Sequence, residues 1–112
     1  MEIKIKTCLY DILNAINEID SFFIDRKYNF QTYQNDIRTK RAIERNIEII
    51  GEAISRILNI EASFELSNSR KIVDTRNRII HGYDSVSDEI IWSIVVTHLP
   101  ILKSETEHLL DE

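Results

Sequence analysis

The residues best suited to chemistry lie close together in the segment 75–83, which reads TRNRIIHGY. It combines the guanidinium of Arg76, the amide of Asn77, the imidazole of His81 and the phenol of Tyr83 at the end of a predicted helix. An arginine can hold a phosphate through charge-assisted hydrogen bonds. A histidine titrates near neutral pH and can transfer protons. The pattern therefore predicts a site that acts on a phosphodiester.

Helical geometry separates the two candidate catalytic groups. Asn77 and His81 are four residues apart and share a helix face, whereas Arg76 and His81 are five apart and diverge by roughly 140° around the axis. The long arginine side chain, a distorted last turn at Gly82 or a second copy of the helix could each bring them together. We favour the second copy, because a two-fold dimer places the same patch of both subunits face to face.

Length and composition predict the framework. The 112 residues suffice for one hydrophobic core, so we expect a single domain over residues 1–112. Two glycines and one proline leave little turn chemistry for strands and favour an all-α fold. No apolar run approaches the roughly 18 residues typical of a membrane span, so we expect a soluble, cytoplasmic protein. The single cysteine, Cys8, is predicted to be buried.

Apolar residues at steps of three and four predict helices over about residues 3–24, 37–59 and 69–81. A fourth helix is expected from a cap at Ser85 or Ser87 to about residue 110, with a kink or restart at Pro100. Residues 25–34 lose the periodicity and are predicted to form a loop or a broken turn. Short connections favour an antiparallel bundle of four to five helices that dimerises through its helices.

Three details of the predicted helices bear on the site. Gly51 interrupts the second helix, where glycine costs roughly 1 kcal/mol relative to alanine, so we interpret it as a packing notch for a neighbouring backbone, with a flexible hinge as the alternative. Asn35 or Asp36 is expected to cap that helix. In the third helix the apolar residues are expected to face inward, namely Ile72, Val73, Ile79 and Ile80.

The charges are unevenly distributed. The net charge is −5, yet residues 26–45 contain six basic residues against two acidic, which gives +4, and residues 70–83 contain four against one, which gives +3. Residues 84–112 contain seven carboxylates against Lys103, which gives −6. The two basic segments could therefore meet on one side of an acidic molecule, although helix faces of mixed charge would produce the same composition.

Structural roles would also account for the candidate residues. Arg76 could pair with Asp74 or a neighbouring acid, His81 could cap its helix, and Tyr83 could be a buried ring. Glu52 could point into a polar pocket or form an ordinary salt bridge. No cluster of histidines and carboxylates has metal-ligand spacing, so no metal or cofactor is expected. His98 and His108 lie ten residues apart and are predicted to be surface or packing residues.

The motif resembles a known family. An arginine, a polar neighbour and then a histidine after four to six positions is the signature of the HEPN superfamily. The tyrosine two places after the histidine is similar to the HepT-like toxin branch, also called DUF86. The resemblance covers about residues 9–110. The segments that carry it, including the motif itself, are Arg76-Asn77, His81-Gly82-Tyr83, Ile50-Gly51-Glu52-Ala53, Trp92 and Leu99-Pro100.

This resemblance implies a homodimeric, metal-independent ribonuclease that acts as the toxin of a type VII-like toxin–antitoxin module. Its RNA-cleaving pair would be Arg76 and His81, with Asn77 and Arg78 positioning the substrate. The implied antitoxin is a minimal nucleotidyltransferase that adds AMP to Tyr83. An alternative is a helical module without catalytic activity, which binds nucleotide or assists a nucleotidyltransferase.

Overall fold

A computed structural model describes residues 1–23, 29–82 and 86–111. All regular structure in these ranges is helical, which confirms the all-α prediction. None of the helices in these ranges has an apolar stretch long enough to cross a bilayer. The elements are α1 (Ile3–Ser21), α2 (Phe30–Asn35), α3 (Ile37–Ile60), α4 (Ser69–His81), α5 (Asp88–Ser93), a π-helical segment (Ile94–His98) and α6 (Leu99–Leu110).

Side-chain caps set several helix ends. The Asp36 carboxylate accepts a hydrogen bond from the backbone N–H of Thr39, 3.2 Å away, and starts α3. Ser87 caps α5 in the same way through the N–H of Ile90. Helix α4 ends at Gly82, whose φ of 63° lies in the left-handed region that glycine adopts without a Cβ clash. These caps agree with the predicted ones, except that Ser85 lies outside the described residues.

The core is built mainly from isoleucine and leucine side chains of the long helices. Helix α1 packs chiefly on α3 and α6, and α3 also packs on α4. Cys8 is buried, as predicted. The N-terminal part of α3 shares a pocket with the C-terminal end of α4, while Gly51 further along α3 meets Arg76. Helices α3 and α4 therefore run antiparallel, which places the candidate site against the middle of α3.

The prediction of a loop over residues 25–34 was wrong in part. Residues 24–28 lie outside the described ranges, but Phe30 begins the short helix α2. Oδ1 of Asn29 accepts a hydrogen bond from the backbone N–H of Thr32, 3.0 Å away, and caps the start of this helix. Its Tyr33 is buried and stacks on Trp92, with ring centroids 5.1 Å apart. Tertiary packing of the aromatic rings therefore stabilises a helix that is too short for a clear apolar period.

We predicted a kink or restart at Pro100, and the structure has a π-helical turn directly before it while the backbone stays helical. The backbone N–H of Leu99 bonds to the carbonyl of Ile94, five residues earlier, so a π-helical turn precedes α6. Such a turn accommodates a proline that lacks the N–H of a regular α-helix. His98 lies in this turn with both ring nitrogens buried and, in the part of the chain that the structure describes, without a hydrogen-bond partner; burial lowers its pKa. It is therefore a packing residue, in line with the prediction.

Candidate functional site

Arg76 is seated in a notch on α3. A Cβ atom built onto Gly51 would lie 2.6 Å from the Cβ, 2.9 Å from the Cγ and 3.2 Å from the Cδ of Arg76. Only a glycine leaves room for this arginine stem. The predicted notch is thus confirmed, but a side chain fills it instead of a neighbouring backbone. The glycine that weakens α3 locally is what lets Arg76 approach it.

The guanidinium of Arg76 is held at two of its nitrogens. Nη2 donates to Oε2 of Glu52 at 2.7 Å, and Nη1 donates to Oδ1 of Asn77 at 3.1 Å. Nε is buried and has no hydrogen-bond partner among the described residues. The Arg76 side chain is 24% exposed, so a ligand could still reach part of the guanidinium. The position of this cation is therefore set by residues of two helices. The guanidinium has five N–H groups, so some of them can still donate hydrogen bonds to a ligand.

Glu52 is itself held by a second arginine. Its Oε1 accepts from Nε of Arg56, one helical turn away, at 3.1 Å. Arg76 does pair with an acid, as the structural alternative proposed, but the acid is Glu52 of α3 and not Asp74 of its own helix. The sequence did contain a signal for Glu52, because it is adjacent to Gly51 and four residues from Arg56.

His81 occupies a different position from Arg76. It is the last residue of α4 and is exposed. Arg76 lines a cavity of about 260 Å³ together with Glu48, Glu52 and Ile80, and His81 does not line it. Both residues lie within the regular α4, so the divergence of roughly 140° applies. A single copy of the chain therefore does not bring the imidazole to the Arg76 cavity. Tyr83 lies outside the described residues.

Asn77 and Arg78 are the two residues that were predicted to position the substrate. Asn77 contacts Arg76 directly, as described above. Arg78 is exposed and lines a cavity of about 590 Å³ with Lys40 and Arg41 of α3. Residues of both basic segments therefore line this cavity, together with the acidic Glu44 and Asp88, so the meeting that the sequence left open is accompanied by helix faces of mixed charge.

Apolar side chains border the Arg76 cavity. Ile49 of α3 and Ile80 of α4 both line it, and they are 37% and 49% exposed. The prediction that Ile80 faces inward was wrong. The apolar residues of α4 that face the core are Ile72, which is fully buried, and Val73 and Ile79, which are half-buried. Ile80 lies four residues after Arg76 and therefore on the same face of the helix.

The fold and site define a class: an all-helical protein that carries an anchored arginine in the middle of one helix and a histidine at its end. The chain belongs to the HepT-like ribonuclease family, whose model matches residues 12–109. No solved structure matches the chain.

Curated relatives are similar along nearly their whole length. A Methanocaldococcus jannaschii protein named "Putative RNase MJ1380" is 35% identical over 105 residues, which cover 92% of this chain and 94% of the relative. A Thermococcus cleftensis protein named "Probable ribonuclease HepT" is 33% identical over 108 residues, which cover 93% of this chain and 94% of the relative. The family predicted from the motif in α4 is therefore confirmed.

Proposed function

We propose that this protein is a metal-independent endoribonuclease that acts as the toxin of a toxin–antitoxin module. The observation that carries the proposal is the anchoring of Arg76, whose stem fills the notch at Gly51 and whose Nη2 lies 2.7 Å from Glu52. A cation fixed in this way does not have to reorganise when charge develops on a reacting phosphate. Membership of a ribonuclease family makes RNA the expected substrate.

The chemistry requires no nucleophile from the protein. The 2′-oxygen of the RNA attacks the adjacent phosphorus, the bond from phosphorus to the 5′-oxygen breaks, and the products carry a 2′,3′-cyclic phosphate and a 5′-hydroxyl. His81 transfers a proton at the attacking or the leaving oxygen. Arg76 stabilises the charge on the non-bridging oxygens. Asn77 orients Arg76 through their 3.1 Å hydrogen bond, and Arg78 positions the substrate.

We propose that the complete site forms in a homodimer. Within one chain the imidazole of His81 and the cavity of Arg76 lie on different sides of α4. The exposed side chains of Ile49 and Ile80 border that cavity and would be covered if α3 and α4 of two subunits met. Such a contact would be isologous, so both copies would contribute the same residues.

The ribonuclease proposal is tested by expression in a bacterial host and by assay of the purified protein. We expect growth arrest on induction, together with cleavage of single-stranded RNA by the purified protein in the presence of EDTA. A non-catalytic module is the second candidate, because the Glu52 carboxylate already offsets the charge of Arg76. Growth arrest that persists in the Arg76→Lys and His81→Ala variants would favour this second candidate.

Loss of the Glu52 charge is expected to slow RNA cleavage about tenfold. Glu52→Gln keeps the size of the side chain but removes the charge-assisted bond to Arg76. Hydrogen bonds to charged groups contribute about 1.5–3 kcal/mol, which partial exposure reduces here, and about 1.4 kcal/mol corresponds to tenfold in rate. Single-turnover cleavage measures the effect.

The matched control for this prediction is Arg56→Gln. It removes the other bond to Glu52, an exposed contact one turn away, and leaves the bond from Arg76 in place. Exposed pairs at this spacing contribute about 0.3–0.5 kcal/mol, so cleavage should change by less than about threefold. Equal losses in the two variants would show that Glu52 does not act through Arg76.

We further propose that the antitoxin is a nucleotidyltransferase that adds AMP to Tyr83. The added phosphate would bring negative charge and bulk close to the cations of α4 and compete with RNA. Co-expression with the partner should increase the mass of the tryptic peptide that contains Tyr83, and Tyr83→Phe should abolish the increase. Tyr10→Phe is the control, because Tyr10 is exposed on α1, whereas Tyr33 is buried. An unmodified Tyr83 peptide would leave simple occlusion as the antitoxin mechanism.

A further inference from the structure

Helix α3 presents a row of arginines close to the site. Arg38, Arg41 and Arg45 are all exposed. At 100° per residue the three lie within roughly 60° of one another around the axis of α3, and they extend for about 10 Å along it. We call these three residues the arginine ridge. It lies at the N-terminal end of α3, which is the end that meets the C-terminus of α4.

The ridge continues onto α4. Arg41 lines the 590 Å³ cavity together with Arg78, which is two residues from Arg76. Lys40, Glu44 and Asp88 also line the cavity, and Nζ of Lys40 lies 3.0 Å from Asp88. Arg78 lies about 200° from Arg76 around the axis of α4 but only about 60° from His81, so a ligand that follows the ridge through this cavity would reach the side of α4 that carries His81.

The cations of this surface differ in how far they are already neutralised. Lys40 is bound to Asp88, and Arg41 pairs with Glu44 at 3.1 Å. In contrast, Arg38, Arg45 and Arg78 form no ion pair within the part of the chain that the structure describes. The geometry leaves their guanidinium groups available to an external anion.

We propose that the arginine ridge and Arg78 bind the phosphate backbone of single-stranded RNA and guide it to the end of α4 that carries His81. The proposal rests on the proposed function, because it takes RNA as the ligand. Guanidinium groups match phosphate geometry through paired hydrogen bonds. Spacing over about 10 Å allows contacts to successive phosphates of one strand. RNA is favoured over an acidic protein because the row of arginines continues, through Arg78, to the side of α4 that carries His81, which would transfer protons at a phosphodiester.

The test measures RNA binding as a function of salt. A fluorescent single-stranded RNA is titrated with His81→Ala protein, which is expected to bind without cutting, at several NaCl concentrations. Each phosphate contact to a single strand contributes about 0.7 to the slope of log K against log salt. The double variant Arg38→Gln/Arg45→Gln, in the same background, should therefore lower the magnitude of this slope by about 1.4 and weaken binding at low salt.

The matched control is Lys4→Gln/Lys6→Gln. Both lysines are exposed on α1 and form no ion pair among the described residues, so the control removes the same charge from a different helix. Its salt dependence should equal that of the His81→Ala protein. Circular dichroism should give the same helix content for both double variants. Equal losses of slope in the two would indicate a general charge effect and overturn the proposal.

The two proposals fail in different ways. If the wild-type protein cuts RNA and Arg38→Gln/Arg45→Gln cuts it with an unchanged KM, the ridge does not bind the substrate, although the ribonuclease proposal stands. If the wild-type protein binds RNA through the ridge and does not cut it, the ribonuclease proposal fails and the ridge stands. A double variant that loses antitoxin binding and retains RNA binding would assign the ridge to the protein partner and contradict our proposal.

Discussion

Replacement of His81 by alanine is expected to lower the rate constant of RNA cleavage by a factor of about 10² to 10⁴, the usual contribution of a positioned acid or base. The fold should be preserved, because His81 is exposed at the last residue of α4 and its removal leaves no cavity in the core. Single-turnover cleavage and the unfolding midpoint, both measured on the purified variant, check the two parts of this prediction.

The control for this variant is His108→Ala. His108 is also exposed and also lies in the last turn of a helix, α6, so the substitution is chemically the same. It should cut RNA at the wild-type rate. Full cleavage by His81→Ala in a preparation free of host ribonucleases would remove His81 from the mechanism. A similar loss in His108→Ala would show that the assay reports general damage to the protein.

Gly51→Ala is expected to disturb both the packing of α4 and the catalytic rate. Helix propensity alone would make this change stabilising by roughly 1 kcal/mol. The new Cβ, however, would lie 2.6 Å from the Cβ of Arg76, an atom that cannot rotate away. Overpacking of this kind costs about 1–3 kcal/mol, so α4 should shift outward and weaken the contact between Arg76 and Glu52. We expect a lower unfolding midpoint and at least about tenfold slower cleavage.

Ser55→Ala is the control for Gly51→Ala. Ser55 lies one turn later on α3, and its replacement introduces alanine without adding a new Cβ. Thermal unfolding of this variant should occur at or slightly above the wild-type midpoint, with unchanged cleavage. If the Gly51→Ala variant were as stable and as active as the wild-type protein, the notch would not be needed to seat Arg76.

Much of the fold could be predicted because its signals are local. Regular apolar spacing located the long helices, and short polar residues identified their caps. Helix α2 was missed because six residues are too few for a period, and its stability comes from the packing of Tyr33 on Trp92. The sequence did not predict the π-helical turn before Pro100, because its hydrogen bonds depend on how the neighbouring helices pack.

The candidate site was predictable only in part, because its local signals can be read from the sequence and its contacts between helices cannot. The residue types in α4 indicated phosphodiester chemistry, and the helical angle predicted that Arg76 and His81 diverge, in agreement with the absence of His81 from the lining of the Arg76 cavity. The role of Glu52 depended on which face of α3 meets α4, a tertiary fact that no single segment encodes. The exposure of Ile80 was misjudged because an apolar residue can border a surface cavity as well as a core, and here Ile80 lines the cavity of Arg76.

The most direct test of the proposed mechanism is an analysis of the RNA ends produced by the purified protein in EDTA, beside the Arg76→Lys and His81→Ala variants. Arg76→Lys keeps a positive charge but loses the planar fork that binds Glu52 and phosphate together. We predict 2′,3′-cyclic phosphate and 5′-hydroxyl ends from the wild-type protein, and cleavage reduced at least a hundredfold in His81→Ala and clearly reduced in Arg76→Lys. Wild-type products with 3′-hydroxyl ends, or equal cleavage by all three proteins, would contradict it.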